Sequence, residues 1–246
     1  MEIIQITDLH INCDMDFEKN RCKPYHQLKE TLAAISSNHG DDLTLVITGD
    51  LSGDDSCESY NHIRDLLKAY SFSVSLLPGN HDNPDMMESI CDDQISFGIP
   101  KFLNENYIFY NFNTHVHGQI GGCIKNNQIN DLKKKLSGDE KNIIIFTHHP
   151  IVKIDSKWID KHVADNSNLL LDLMFSYENS QFNVFSGHVH QEFFKVMKNV
   201  KIFTTPSTCY QFRPNSDVYC IDENLSNGYR VIKLHDNTVS TSVVRI

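Results

Sequence analysis

Asp8-Leu9-His10 and His188-Val189-His190 each set two potential cation ligands two residues apart. Asp50 follows Gly49, Asn80 follows Gly79, and His148 stands between Thr147 and His149. Imidazole nitrogens, carboxylates and one amide oxygen suit Fe, Mn or Zn better than Ca or a thiolate-bound ion, and donor type alone does not choose among the three. The set Asp8, His10, Asp50, Asn80, His148, His188 and His190 is large enough for two ions. Paired divalent ions about 3.5–4 Å apart take the pKa of a bound water from 15.7 toward about 7 and neutralise the oxygens of an in-line displacement. By formal count roughly +4 from the ions meets −3 from Asp8, Asp50 and a bridging hydroxide, leaving a centre of about +1 inside an acidic protein. Phosphoester hydrolysis is the reaction such a centre is expected to perform.

These residues need a scaffold that brings them together. Short β-branched runs precede them: Glu2–Ile6 before Asp8, Leu43–Ile47 before Asp50, Val74–Leu77 before Asn80, Ile143–Phe146 before His148 and Asn183–Phe185 before His188, with Tyr107–Phe112 as a further run. Each reads as a buried strand. Helical spacing over Tyr25–Ser37, Ser59–Ala69 and Gln128–Leu136 alternates with them, which predicts an α/β core. In such sheets ligands bind outside the carboxyl ends of the strands, so residues distant in sequence converge there. If the chain is extended at the two paired motifs, alternate side chains face one way, and Leu9 and Val189 pack behind. Glycine at 49, 79 and 187 fits a close backbone approach just before a ligand. From Glu192 onward only strand-like runs follow: Phe193–Met197, Lys201–Thr204, Asp217–Ile221, Tyr229–Leu234 and Ser240–Val244. These predict a second, largely antiparallel sheet. With no Pro/Gly/Ser-rich linker and no repeat, residues 1–246 read as one domain.

Composition narrows the class. The 246 residues are 40% hydrophobic and 22% charged, which excludes a chain that is mainly disordered. No apolar run reaches the roughly 18–20 residues of a membrane span, and the first residues carry no basic region ahead of an apolar stretch. A cytoplasmic protein is expected. Thirty-two acidic against 22 basic residues give a net charge of −10, which argues against nucleic acid as a partner. Seven cysteines, an odd number without C-x-x-C spacing, read as reduced thiols, Cys209 among them as structural. Lys133-Lys134-Lys135 reads as a solvated helix face and Arg213 as a loop arginine.

Asp8-Leu9-His10, Gly49-Asp50, Gly79-Asn80-His81-Asp82, Thr147-His148-His149-Pro150 and Gly187-His188-Val189-His190, in this order, make the chain resemble the calcineurin-like metallophosphoesterases. Gln5-Ile6-Thr7-Asp8, Leu77–Asp82, Gly187–Gln191 and Thr205–Phe212 extend the similarity, over nearly the whole chain, to the bacterial 3′,5′-cyclic AMP phosphodiesterases of that superfamily. The resemblance implies a four-layer αββα sandwich. It implies one ion on Asp8, His10 and His190, a second on Asn80, His148 and His188, Asp50 bridging, and phosphate contacts from Asn80, His81 and His190. His81 would steady a phosphoryl oxygen or protonate the leaving 3′-oxygen. The implied activity is hydrolysis of cyclic AMP to 5′-AMP by a metal-bridging hydroxide, with a broader phosphodiesterase or phosphomonoesterase of the same superfamily as the alternative. Asn113, where relatives often carry Asp, is a departure that touches no expected ligand.

The phosphoprotein phosphatases of the superfamily carry Gly-Asp-x-Val-Asp-Arg-Gly and Gly-Asn-His-Glu. Here Gly49-Asp50-Leu51-Ser52-Gly53 and Gly79-Asn80-His81-Asp82 stand instead, which disfavours that substrate. A scaffold that has lost its ligands is disfavoured because every ligand position is filled. His149 is read as supporting its neighbours rather than binding an ion. The segment Lys157–Asn168, with Trp158, His162 and Asn166, is expected to overhang the site, His162 and Asn166 being the candidates for nucleobase contact.

Overall fold

The computed structural model describes residues 1–98, 106–136, 142–236 and 238–246. Their elements run β1 (Glu2–Ile6), α1 (Pro24–His39), β2 (Thr44–Thr48), α2 (Cys57–Leu67), β3 (Ser73–Leu77), α3 (Pro84–Ser89), β4 (Ile95–Phe97), β5 (Tyr107–Phe112), α4 (Asn126–Lys135), β6 (Asn142–Thr147), α5 (Ser167–Ser176), β7 (Gln181–Ser186), β8 (Phe193–Met197), β9 (Val200–Thr204), β10 (Gly228–Leu234) and β11 (Val239–Arg245). A single 3₁₀ turn, Asp160–His162, precedes α5.

The strands form two mixed sheets, ordered β11-β10-β1-β2-β3-β4 and β5-β6-β7-β9-β8. In the first, β1 to β4 are parallel while β10 and β11 are antiparallel to their neighbours; in the second, only β8 is antiparallel. Side-chain alternation sorts each strand between two cores. Ile4, Ile6, Leu45 and Ile47 face α1 and α2 with Leu28, Leu32 and Ile63, whereas Ile3 and Val46 face the other sheet, meeting Ile144, Phe146 and Phe185. Ile143, Ile145, Phe182 and Val184 turn outward to α4 and α5 through Leu132, Leu170 and Met174. Strands buried on both faces read as unbroken apolar runs, which is why these were visible in sequence. Helices, sheet, sheet and helices make the expected four-layer sandwich.

Local signals set the helix ends. Pro24 and Pro84 occupy first-turn positions where a missing N–H costs nothing. Ser56 and Asn83 accept backbone N–H groups at the starts of α2 and α3.

The C-terminal strands are distributed differently from the expectation. The β8–β9 hairpin completes the second sheet, which is chiefly parallel, and the β10–β11 hairpin is added to the first. Asp217–Ile221 is not a strand: Val218 and Tyr219 are exposed, and only Ile221 bridges, to Phe212. Hairpin pairing is local and legible, but which sheet a hairpin joins depends on distant edges. The expectation of seven reduced thiols is also corrected, because Cys22 and Cys209 are disulfide-bonded across 187 residues of sequence. No spacing rule reaches a pair that only the fold brings together.

Candidate metal centre

The parallel strands of both sheets end on one side, and their ends deliver the candidate ligands: Asp8 and His10 beyond β1, Asp50 beyond β2, Asn80 beyond β3, His148 beyond β6, and His188 and His190 beyond β7. All seven expected ligand residues meet, in two adjoining clusters. In one, His10 Nε2 lies 3.2 Å from His190 Nε2, which lies 3.3 Å from Asp8 Oδ1. In the other, Asn80 Oδ1 lies 2.9 Å from His188 Nδ1 and 3.3 Å from His148 Nε2. Asp50 spans both, with Oδ2 3.9 Å from His10 Nε2 and Oδ1 3.4 Å from His148 Nε2.

The donor sets fit metal ions. Ligand atoms about 2.0–2.2 Å from one cation stand roughly 3.0–3.6 Å apart, close to the spacings found. Asp8, Asp50, His10, His148, His188 and His190 are buried, a poor place for converging lone pairs unless a cation joins them. The sets Asp8, His10, His190 and Asp8, Asp50, His148 each converge closely enough to hold an ion.

The approach is not extended at the paired motifs. Asp8, His10, Asp50, His188 and His190 have φ of 54°, 52°, 51°, 67° and 45°, the left-handed region that non-glycine residues rarely occupy. The chain must turn sharply off each strand to aim successive ligands at one point, and such strain concentrates at functional sites. Leu9 and Val189 are fully buried, as the sequence reading expected, though through turned rather than extended backbone.

Outer contacts hold each ligand. His148 and His190 donate from Nδ1 to the carbonyls of Thr48 (2.7 Å) and Tyr210 (2.8 Å), which leaves Nε2 facing the clusters. Asp8 accepts from Thr7 Oγ1 at 2.8 Å and from the His188 N–H at 3.0 Å, and Asp50 accepts from the His81 N–H at 2.9 Å. A Cβ on Gly187 would fall 2.0 Å from Thr7 Oγ1, so the crossing of these loops admits only glycine there. Burial would raise both carboxyls, yet the His190 imidazole holds Asp8 below the usual carboxylate range, and His148 holds Asp50 well below it. Burial pushes His10 down to about 3; at His148 the Asp50 and Asp8 carboxylates outweigh burial and raise the imidazole to about 9.

His149 stands close to His148 and His188, but both its ring nitrogens are engaged. Burial, with help from His148, lowers it to about 3, so it is neutral. Nε2 donates to the Ile120 carbonyl at 3.0 Å, and Nδ1 accepts the Thr114 hydroxyl at 2.8 Å.

Above the clusters lies a cleft of about 220 Å³. His10, Asp50, Asn80, His81, His188 and His190 form its floor. Trp158 and His162 line its wall, as expected of the segment that carries them, and Trp158 meets Phe212 and Tyr219 edge-to-face at 4.9 and 5.2 Å. Asn166 does not reach this wall. It is a left-handed residue at the start of α5, and its amide, expected to contact a nucleobase, here donates to the Ile124 carbonyl at 3.1 Å. Sequence reasoning did not single out Tyr210, Phe212 and Lys19. Tyr210 stacks on His10 at 5.7 Å and Phe212 on His190 at 4.3 Å. Both aromatics lie in the Thr205–Phe212 segment on which the resemblance drew, but neither has a spacing that signals chemistry.

Comparison with known proteins agrees with this geometry. The 3′,5′-cyclic adenosine monophosphate phosphodiesterase CpdA of Haemophilus influenzae is 28% identical over 249 residues, covering 100% of this chain and 90% of that protein. A 3′,5′-cyclic-nucleotide phosphodiesterase of Nostoc sp. is 31% identical over 251 residues, covering 100% and 92%. Among solved structures, a dimetal phosphatase from Danio rerio superposes with a TM-score of 0.72 at 13% identity, covering 98% of this chain and 95% of that one, a likeness of fold. Residues 1–192 match the calcineurin-like phosphoesterase family, and the chain belongs to it.

Proposed function

We propose that the chain is a dinuclear metal-dependent phosphodiesterase that hydrolyses 3′,5′-cyclic AMP to 5′-AMP. The observation that carries this reading is the pair of donor clusters joined by Asp50 at the floor of a cleft walled by Trp158, Phe212 and Tyr219. Full-length similarity to relatives named for cyclic-nucleotide hydrolysis supports the substrate. In this reading Asp8, His10 and His190 hold one ion, Asn80, His148 and His188 the other, and Asp50 both; the ions are Fe, Mn or Zn. When bound, they supply Lewis acidity to the phosphoryl oxygens and acidify the attacking water.

The chain's own residues do the rest. Asn80 and His190 flank the phosphoryl position. His81, whose backbone N–H is tied to Asp50, keeps an exposed imidazole in the cleft, edge-on to His10 at 5.2 Å. It is placed to steady a phosphoryl oxygen or to pass a proton to the 3′-oxygen as the P–O3′ bond breaks and the water oxygen bonds to phosphorus. His162 and the aromatic wall receive the base. The reading takes residues 1–246 as one domain, supported by β1 pairing with both β2 and β10. It includes no nucleic-acid partner, supported by the net charge of −10.

The test is product analysis with cyclic AMP and bis(p-nitrophenyl) phosphate side by side, with Mn²⁺ and with a chelator. Metal-dependent release of 5′-AMP is expected. Cleavage of the nitrophenyl diester with cyclic AMP left intact would refute the cyclic-nucleotide assignment and point to a broader phosphodiesterase.

A further inference from the structure

Lys19 comes to the cleft from the loop after β1, and its backbone there is tightly held. Its N–H and carbonyl both pair with Cys22, each at 2.9 Å, around Asn20 and Arg21, whose φ of 54° and 61° close a two-residue turn of the left-handed kind. Cys22 is bonded to Cys209, and the next residue, Tyr210, both stacks on His10 and accepts from His190 Nδ1. A covalent path therefore runs from the Lys19 turn to the backbone that orients a candidate ligand. The Lys19 ammonium lies 5.9 Å from the centre of the Tyr210 ring, and among the described residues it has no carboxylate partner. The described cleft lining contains no other ammonium or guanidinium group.

Its position selects what it can touch. Lys19 borders both the main cleft and a smaller recess formed with Asn12, Phe17 and Pro24, and the two share His10, His81 and Tyr210. The ammonium thus stands beside the phosphoryl end of the cleft. A phosphodiester carries one negative charge on its non-bridging oxygens, and an unpaired ammonium beside an aromatic face is a suitable donor to it.

We infer that Lys19 is a substrate-binding residue for the anionic phosphodiester, kept at the cleft by the Cys22–Cys209 bond and the turn it anchors. The inference rests on the phosphodiesterase reading for its substrate. It is tested with metal-loaded protein and the variants Lys19→Met, Lys19→Arg and Cys22→Ser. The readouts are steady-state kinetics on cyclic AMP and bis(p-nitrophenyl) phosphate, calorimetric binding of inorganic phosphate, and metal content. Lys19→Met is expected to raise KM and the phosphate Kd about tenfold, with kcat and metal content nearly unchanged. Lys19→Arg should recover most of the loss, and added salt should narrow the gap to wild type. Cys22→Ser should raise KM in the same direction. Unchanged KM and phosphate affinity in Lys19→Met would overturn the role of Lys19, and an effect there without one in Cys22→Ser would overturn the tether. Loss of nitrophenyl diester and phosphate binding in Lys19→Met, in a protein that leaves cyclic AMP intact, would refute the cyclic-nucleotide reading while upholding Lys19.

Discussion

His148 at the end of β6 donates its Nδ1 proton to the carbonyl of Thr48 at the end of β2, 2.7 Å away, and so joins the two sheets at the site. The bond commits Nδ1 and turns Nε2 toward Asp50 and Asn80. It also requires the next residue to be glycine: Gly49 has φ 99°, and a Cβ there would fall 2.4 Å from His148 Nδ1.

The same crowding makes Gly79 a test of the centre. A Cβ at this position would lie 2.1 Å from Asp50 Oδ1 and 2.4 Å from the Asp50 nitrogen. Gly79→Ala should displace the carboxylate common to both clusters, lowering metal content and cutting diester hydrolysis by about 100-fold or more. Elemental analysis alongside the assay checks this; a variant that kept the wild-type metal content and full turnover would show that Asp50 is not shared.

His81 is expected to be separable from metal binding: its hydrogen bond to a candidate ligand runs through the backbone N–H to Asp50, while its exposed imidazole stands edge-on to His10 at the cleft. His81→Ala is expected to lower kcat by about 10²–10⁴-fold, the usual range for a positioned acid or oxyanion partner, with metal content intact. Loss of metal would reassign His81 to the ligand set.

Asp82 supports the site without lining it. Burial, reinforced by the Asp50 charge, raises its carboxyl to about 6, and the group accepts the N–H groups of Leu51, Ser52 and Gly79 and the Tyr60 hydroxyl. Asp82→Ala leaves these buried donors unpaired and should cost about 3 kcal/mol or more. Tyr60→Phe removes the acceptor of the Asn83 N–H and should cost about 1 kcal/mol. Denaturant titration of both variants would show whether the ranking holds.

Acid stability depends in part on Asp54. Burial would raise its carboxyl, but the Cys13 N–H at 2.8 Å and the Ser56 hydroxyl at 2.7 Å lower it from 3.8 to about 2. A folded-state value below the unfolded one means a contribution complete above about pH 4 and lost as pH falls toward about 2. Asp54→Asn should therefore narrow its deficit relative to wild type as pH drops from about 5 to about 2.5, read from denaturant midpoints. A constant deficit would show that the charge is not what these donors hold.

By itself the sequence determined the main parallel strands and the candidate ligand set that follows them. Strands buried on both faces must be apolar throughout, so β1, β2, β3, β6 and β7 were legible as runs, and each ligand was legible as a polar residue in the turn beyond one. The glycines at 49, 79 and 187 were legible for the same reason, since residue type reports how closely another backbone or ligand approaches. Tertiary structure alone decided the rest. It divided the two C-terminal hairpins between the sheets, placed Asn166 against Ile124 and away from the cleft, joined Cys22 to Cys209, set five candidate ligands in left-handed backbone, and stacked Tyr210 and Phe212 on His10 and His190. Periodicity records only whether a face is buried. Which distant face covers it, and where a turned side chain then points, is settled by contacts between residues that sequence distance does not relate.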